Sequence, residues 1–258
     1  MCELLGMNCN VPTDIRFSFS GLLQRGGRTG DHSDGWGIAF YEERGCRCFH
    51  DPLASTESEL ANLVRTHSVK SLNVICHIRK ATNGRVCLAN THPFMRELWG
   101  RSWAFAHNGR LRGIKSRPLN FYQPIGTTDS EHAFCWMLDN IRERFASPPK
   151  TRIQFRELQD YIGELAGVIG TLGVFNMMLC DSDRLYCYCS TKLSWLTRRA
   201  PFGEASLVDT ELTVDFAKET TPFDIVTVIA THPLTHGEPW QAMERGSFAA
   251  FHDGLIDG

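Results

Sequence analysis

Apolar positions along the chain fall into two rhythms. Seven runs are rich in β-branched and aromatic residues and read as short strands: "GWGIAFYEE" (35–43), "NVICHIR" (73–79), "RSWAFAHNG" (101–109), "GVFNMMLC" (173–180), "RLYCYCS" (184–190), "DIVTVIATHP" (224–233) and "SFAAFHDG" (247–254). Four other stretches, at 13–24, 56–67, 128–145 and 155–166, carry the wider spacing of an amphipathic helix. Two of these open on a capping-box pattern, Thr56 with Glu59 and Thr128 with Glu131. "ASPPKTR" at 146–152 reads as a surface loop between two helices. Strands outnumber helices and often follow one another directly, which favours packed antiparallel sheets with helical outer layers over a doubly wound parallel sheet.

Length and composition narrow the class. With 258 residues and 42% hydrophobic content, the chain can bury a large core, and one domain over 1–258 is expected. The net charge is -2 and lysine and arginine are dispersed, so no footprint for nucleic acid appears and a small-molecule substrate fits better. Glu3, Asn8, Asn10 and Asp14 interrupt any signal-peptide core, and no stretch approaches the ~20 apolar residues of a membrane span, so a cytoplasmic location is expected. Several of the ten cysteines, such as Cys76 and Cys180, sit in strand-like runs, where a free thiol packs as a small hydrophobe. Cys46/Cys48 and Cys187/Cys189 have no partner pair at zinc-finger spacing, so no metal is expected. His77, His92, His107 and His232 read as packed or hydrogen-bonded residues, and Trp36 as a core aromatic.

Four stretches carry candidate chemistry: Cys2 in "MCELLG", "QRGGRTGDHSDGWG" from Gln24, "HIRKATNG" from His77, and "AHNG" from Ala106 with "GTTDSE" from Gly126. Removal of Met1 would leave a thiol and a free α-amine on one residue, and that amine can serve as the thiol's general base. An asparagine in a strand-to-turn "HNG" can aim an amide at a developing oxyanion, and the following glycine lets the backbone approach. The glycine-rich segment at 26–37 lacks the Gly-Lys-Ser/Thr ending of a phosphate loop and reads as a flexible substrate-side loop.

In their order and separation, these motifs resemble the glutaminase domain of the class-II glutamine amidotransferases, which are N-terminal-nucleophile hydrolases. The later segments "TKLSWLTRRAPFG" and "VTVIATHPLT" are most similar to the small stand-alone bacterial members. The resemblance implies an α+β fold, a four-layer αββα sandwich of two mainly antiparallel sheets. It implies that Cys2 attacks the γ-carboxamide of glutamine to form a thioester, with Asn108 and the Gly109 N–H as the oxyanion hole. Arg79 would hold the α-carboxylate with Thr82 as a nearby hydroxyl donor, Asp129 would hold the α-ammonium, and Arg25 would lie in the site near the nucleophile. No cofactor is implied, and a separate synthase would accept the ammonia.

Two departures from the larger synthases bear on the pocket: Lys80 stands where those enzymes usually carry an aromatic residue, and Asn83 occupies a variable position. A third is that no second catalytic domain to accept ammonia is expected in this chain. Three alternatives remain open at this stage: a γ-glutamyl peptide or amide hydrolase of thiol metabolism, a non-catalytic binding or regulatory subunit with the same fold, and a redox or metal-binding cysteine protein.

Overall fold

The structure is a computed structural model and describes residues 2–81, 84–216 and 221–257. Its largest sheet is built around the N-terminal strand β1 (Glu3–Asp14), which has β4 (Lys70–Ile78) on one side and β12 (Ile225–Ala230) on the other. β2 (Trp36–Glu42) and β3 (Gly45–Asp51) extend it beyond β4; β9 (Ser194–Arg199) and β14 (Gln241–Ala242) extend it beyond β12. A six-stranded sheet runs β16 (Leu255–Ile256), β15 (Ser247–His252), β8 (Leu185–Cys189), β7 (Gly173–Cys180), β6 (Arg101–Leu111), β5 (Phe94–Leu98). The pairings in both sheets are antiparallel. β10 (Glu204–Leu207), β11 (Thr213–Asp215) and β13 (Thr235–His236) form a small third sheet.

Alternation along the strands assigns each face to a layer. In β1 and β4, Leu5, Met7, Val74, Cys76 and Ile78 face the helices α1 (Arg16–Gln24) and α2 (Glu59–Thr66) and pack on Phe19, Leu22 and Ala61. In β6 and β7, Trp103, Phe105, Phe175, Met177 and Leu179 face α3 (Asp129–Arg144) and α4 (Arg152–Gly170), with Phe105 stacked on Phe134 at 5.1 Å. The opposite faces meet in a middle layer that includes Leu4, Ala39, Ile75, Ala104, Ala106, Met178 and Leu185. The result is the expected αββα sandwich.

Small residues let the two sheets approach. A Cβ added to Gly6 would lie 2.9 Å from Leu185 Cδ2 and 3.0 Å from Met178 Sδ. Polar groups tie one end of the layer: Asn8 Nδ2 donates to Asn73 Oδ1 at 2.7 Å, and the amide of Gly254 donates to Asn8 Oδ1 at 2.7 Å.

Several local expectations need correction. The segment at 13–24 starts as strand, and its helix begins at Arg16, because Thr13 and Asp14 still pair with Ser71 and Lys70. Thr56 does not cap α2. Its hydroxyl donates to the carbonyl of Gly26, and Ser58 accepts the helix amide of Ala61 instead. Thr128 does cap α3, but Glu131 turns away to accept from the amides of Ile125 and Gly126 and from Arg96, so the box is half formed. The complete capping box lies at Thr151 and Gln154, which starts α4 three residues earlier than its apolar spacing suggests. No helix among the described residues is long and apolar enough to cross a membrane.

Because Gly6 sits where the sheets touch, Gly6→Val should overpack the middle layer. A loss of about 1–3 kcal/mol in unfolding free energy by urea titration is expected, against a much smaller effect for Gly203→Ala, where nothing lies within 4 Å of the added Cβ.

Candidate active site

Cys2 precedes β1 directly and is partly buried at the edge of the middle layer. The Lys80 amide donates to its Sγ at 3.3 Å, and the thiol lies 3.5 Å from the Lys80 carbonyl. Burial pushes the thiol's pKa up; the Lys80 amide and the charge of Arg79 act against that, and Glu3 adds to it. Asn108 and Gly109 arrive on β6, from the opposite sheet. Asn108 Nδ2 donates to the Cys2 carbonyl, which fixes the amide's orientation and leaves its Oδ1 buried without a hydrogen-bond partner among the described residues. Gly109 has φ +151°, and a Cβ there would fall 1.8 Å from the Val174 carbonyl oxygen on β7, so only glycine fits this register.

Cys2 and Gly109 line a cavity of about 450 Å³ that Arg79, His92, His107 and Asp129 also border. Arg79 follows β4 and is buried, with its amide on the Gly35 carbonyl at 2.8 Å and Nη1 3.4 Å from the Arg85 carbonyl. Asp129 opens α3; its carboxylate accepts from the amides of Leu111 at 2.7 Å and Ser130 at 3.0 Å, which locks the side chain against the cavity wall. Of the expected site residues, the structure therefore brings Cys2, Arg79, Gly109 and Asp129 to one cavity, with Asn108 on the backbone of Cys2. Thr82 lies outside the described residues.

Arg25 is placed elsewhere. Its guanidinium is spent on Glu3 at 2.9 Å, Asp209 at 2.8 Å and the carbonyls of His232 and Pro233, and it does not line the cavity. It pairs with Glu3, the residue that follows Cys2 in the chain. Burial alone would raise the Glu3 carboxyl, but hydrogen bonds and charge from His232 and Arg25 outweigh it and hold the group below its usual range. The glycine-rich loop also stays off the cavity lining. Asp34 straps it to the strand end, accepting from the Ala81 amide at 2.7 Å while its own amide donates to the Arg79 carbonyl, and Asp31 pairs with Lys80.

The histidines are packed. His77 and His92 stack at 4.2 Å, and His92 rests on Phe94 at 4.3 Å. Burial, then the fields of His107 and Arg79, push His77 down to about 3; burial and His77 lower His92 as well, so both rings are neutral near pH 7. His107 Nε2 donates to the Val174 carbonyl, which makes Nδ1 the acceptor of the Ser130 hydroxyl at 2.8 Å. Trp36 is fully buried against Phe19. Arg110 and Lys115 also border the cavity, and no pattern in the sequence marks them.

A family model described as "Glutamine amidotransferases class-II" matches residues 1–258. The chain belongs to the class-II glutamine amidotransferases. It is 54% identical over 251 residues, 97% of each chain, to "Putative glutamine amidotransferase YafJ" of Escherichia coli (strain K12). It is 46% identical over 254 residues to a protein of Haemophilus influenzae with the name "Putative glutamine amidotransferase", covering 98% of this chain and 85% of that one. A crystal structure of a "predicted glutamine amidotransferase" from Pseudomonas aeruginosa PA01 superposes with TM-score 0.79 at 47% identity over 99% of both chains. Glutamine phosphoribosylpyrophosphate amidotransferase of B. subtilis shares the fold, with TM-score 0.59 at 16% identity over 99% of this chain and 48% of that one. The sandwich of this class-II amidotransferase is thus the N-terminal-nucleophile hydrolase fold.

Arg25→Ala should leave Glu3 and Asp209 as buried, uncompensated charges, at a cost of about 3–5 kcal/mol in unfolding free energy. Because the Glu3 pKa is lowered by folding, the pair's contribution should be complete above the usual glutamate range near pH 4.5 and fall away as pH drops through the lower folded value. Urea titrations of both proteins between pH 3 and 7 should therefore converge at the acid end.

Proposed function

We propose that this protein hydrolyses the γ-carboxamide of glutamine, or of a closely related γ-glutamyl amide, through a thioester on Cys2. The observation that carries the reading is the meeting of Cys2 and Asn108 across the two sheets, beside a cavity bordered by Arg79 and Asp129, opposite charges suited to an amino-acid head group. Asn108 Nδ2 has two N–H bonds and the Cys2 carbonyl takes one. The second, with the Gly109 amide, is assigned to the oxyanion. Arg79 is assigned to the α-carboxylate and Asp129 to the α-ammonium; Thr82 keeps its role as hydroxyl donor on the resemblance alone.

The raised thiol pKa argues for a base close at hand. A thiol that burial keeps protonated needs its proton removed as it attacks, and the α-amine of Cys2, freed by loss of Met1, has the matching range near ~8. None of the buried neutral histidines is required for the step. The same proposal includes the transfer of released ammonia to a synthase on a separate chain, and a cytoplasmic location.

The test is glutamate release from glutamine by protein whose intact mass shows that it begins at Cys2. Full activity with Met1 demonstrably retained would refute the α-amine base, and undiminished activity in Cys2→Ser would refute the nucleophile. N-acetylglutamine and glutamine α-amide should be poor substrates, since each leaves Asp129 or Arg79 unpaired.

Asn108→Ala should lower kcat by about 100- to 1000-fold with a much smaller change in KM, the signature of a donor that acts in the transition state. Steady-state kinetics on folded variant, checked by circular dichroism, decides it.

A further inference from the structure

Asn90 ends the short 3-10 turn Leu88–Asn90 between β4 and β5 and is 1% exposed. It does not border the cavity, yet its amide reaches two segments that do, those of Gly84 and Thr127. Its Nδ2 donates to the Arg85 carbonyl at 2.9 Å and to the Thr127 hydroxyl at 3.2 Å, and its Oδ1 accepts from the Thr127 amide at 2.7 Å. The Arg85 carbonyl is the one that Arg79 Nη1 approaches at 3.4 Å, and Thr127 stands two residues ahead of Asp129. One buried amide therefore joins the surroundings of the cavity's arginine to the start of the helix that presents its aspartate.

The fit around that amide is tight. A Cβ on Gly84 would lie 3.7 Å from both Arg79 Nη2 and Asn90 Nδ2 and 4.0 Å from Thr127 Oγ1, so guanidinium, amide and hydroxyl converge beside one backbone position. A Cβ on Gly126 would fall 2.3 Å from the Ala89 carbonyl oxygen and 2.4 Å from Asn90 Oδ1, so the segment before α3 lies flush on this turn. Glu131, from within α3, takes the amides of Ile125 and Gly126; Asn90 takes that of Thr127 from outside the helix. Without Asn90, the Thr127 N–H has to find another partner, and the start of α3 is free to shift relative to Arg79.

We propose that Asn90 is a positioning residue that sets the spacing between Arg79 and Asp129, and with it the fit and handedness of the amino-acid head group. The inference rests on the assignment of those two side chains to the α-carboxylate and the α-ammonium. An α-carbon is read as L when three of its substituents are held at fixed points. Here the points are Arg79, Asp129 and, through the γ-carboxamide, Cys2. Loosening one of them weakens binding and admits the mirror image, while the thiol and Asn108 keep the contact they make with each other.

The experiment measures hydrolysis of L- and D-glutamine by Met1-free wild type, Asn90→Ala and Asn90→Asp. In Asn90→Ala, KM for L-glutamine should rise about tenfold or more with kcat within about threefold, and the kcat/KM preference for L over D should fall about tenfold. Asn90→Asp keeps the acceptor for the Thr127 amide and turns the donation to the Arg85 carbonyl into a repulsion, so its values should lie between. Alkylation of the Cys2 thiol, which needs no head group, should run at the wild-type rate in both. An unchanged KM with an unchanged L/D preference, or a loss of kcat together with slowed alkylation, would overturn the proposal, and hydrolysis by the wild type would still uphold the thioester reading. Should Asn90→Ala fail to fold, Asn90→Asp decides by the same readouts. If the wild type hydrolyses no glutamine, the thioester reading fails, and calorimetry decides the role of Asn90 alone. L-glutamine binding that weakens in Asn90→Asp while the L/D preference shrinks supports it; equal or absent binding overturns it.

Discussion

The site depends on a single contact between layers, the hydrogen bond from Asn108 on one sheet to the backbone of Cys2 at the edge of the other. Neither sheet holds both partners, so the geometry at Cys2 is set by how far apart the sheets pack and in what register. Gly6, Ala39, Ala104 and Ala106 keep that separation small, and the register at Gly109 is fixed by the Val174 carbonyl, which leaves no room for a side chain. Packing in the middle layer and placement of the candidate oxyanion donors are one constraint seen from two sides.

Around this contact, charge is distributed by depth. Glu3, Arg25 and Asp209 form an ionic group next to Cys2 in the chain and tie β1 to the glycine-rich loop and the small third sheet, since Asp209 also accepts from Thr29. The imidazoles beneath the cavity are held neutral by burial, so they add no competing positive charge below Cys2. Charged side chains that face the cavity come instead from strand and helix ends: Arg79 after β4, Asp129 at the start of α3, Arg110 at the end of β6. Those ends are where the backbone geometry is firm enough to aim a side chain and open enough to reach a ligand.

Sequence patterning revealed the middle and outer layers wherever alternation was clean. β6 and β7 alternate large residues toward α3 and α4 with small ones toward the facing sheet, and they were legible for that reason. β1 was not, because both of its faces are buried and its interior includes Gly6, Asn8 and Asn10, polar or small positions that mask a strand rhythm. Two hydroxyls competed for the start of α2, and only the tertiary bond from Thr56 to Gly26 shows why Ser58 takes the cap. Cys2, Arg79, Asn108, Gly109 and Asp129 were legible only jointly, since each alone has an ordinary structural explanation. Arg25 shows the limit of that method: proximity to the nucleophile was foreseen, but whether a guanidinium faces the cavity or a buried carboxylate is decided by three-dimensional neighbours. Arg110 and Lys115 left no trace, because an exposed cation at a strand end or in a short turn has no sequence signature.

The central position of β1 sets a clock during synthesis. Its partner β12 is paired through Leu5 with Ala230, so that flank of the strand cannot be closed until more than two hundred further residues have been made. At ribosomal speeds of about 5–20 residues per second, this keeps the sheet incomplete for roughly 10 to 45 s. Afterwards the same backbone is locked between neighbours on both sides. A topology that puts the first strand at the centre and delays its last neighbour thus makes closure of this sheet a late event, however early its middle strand is made.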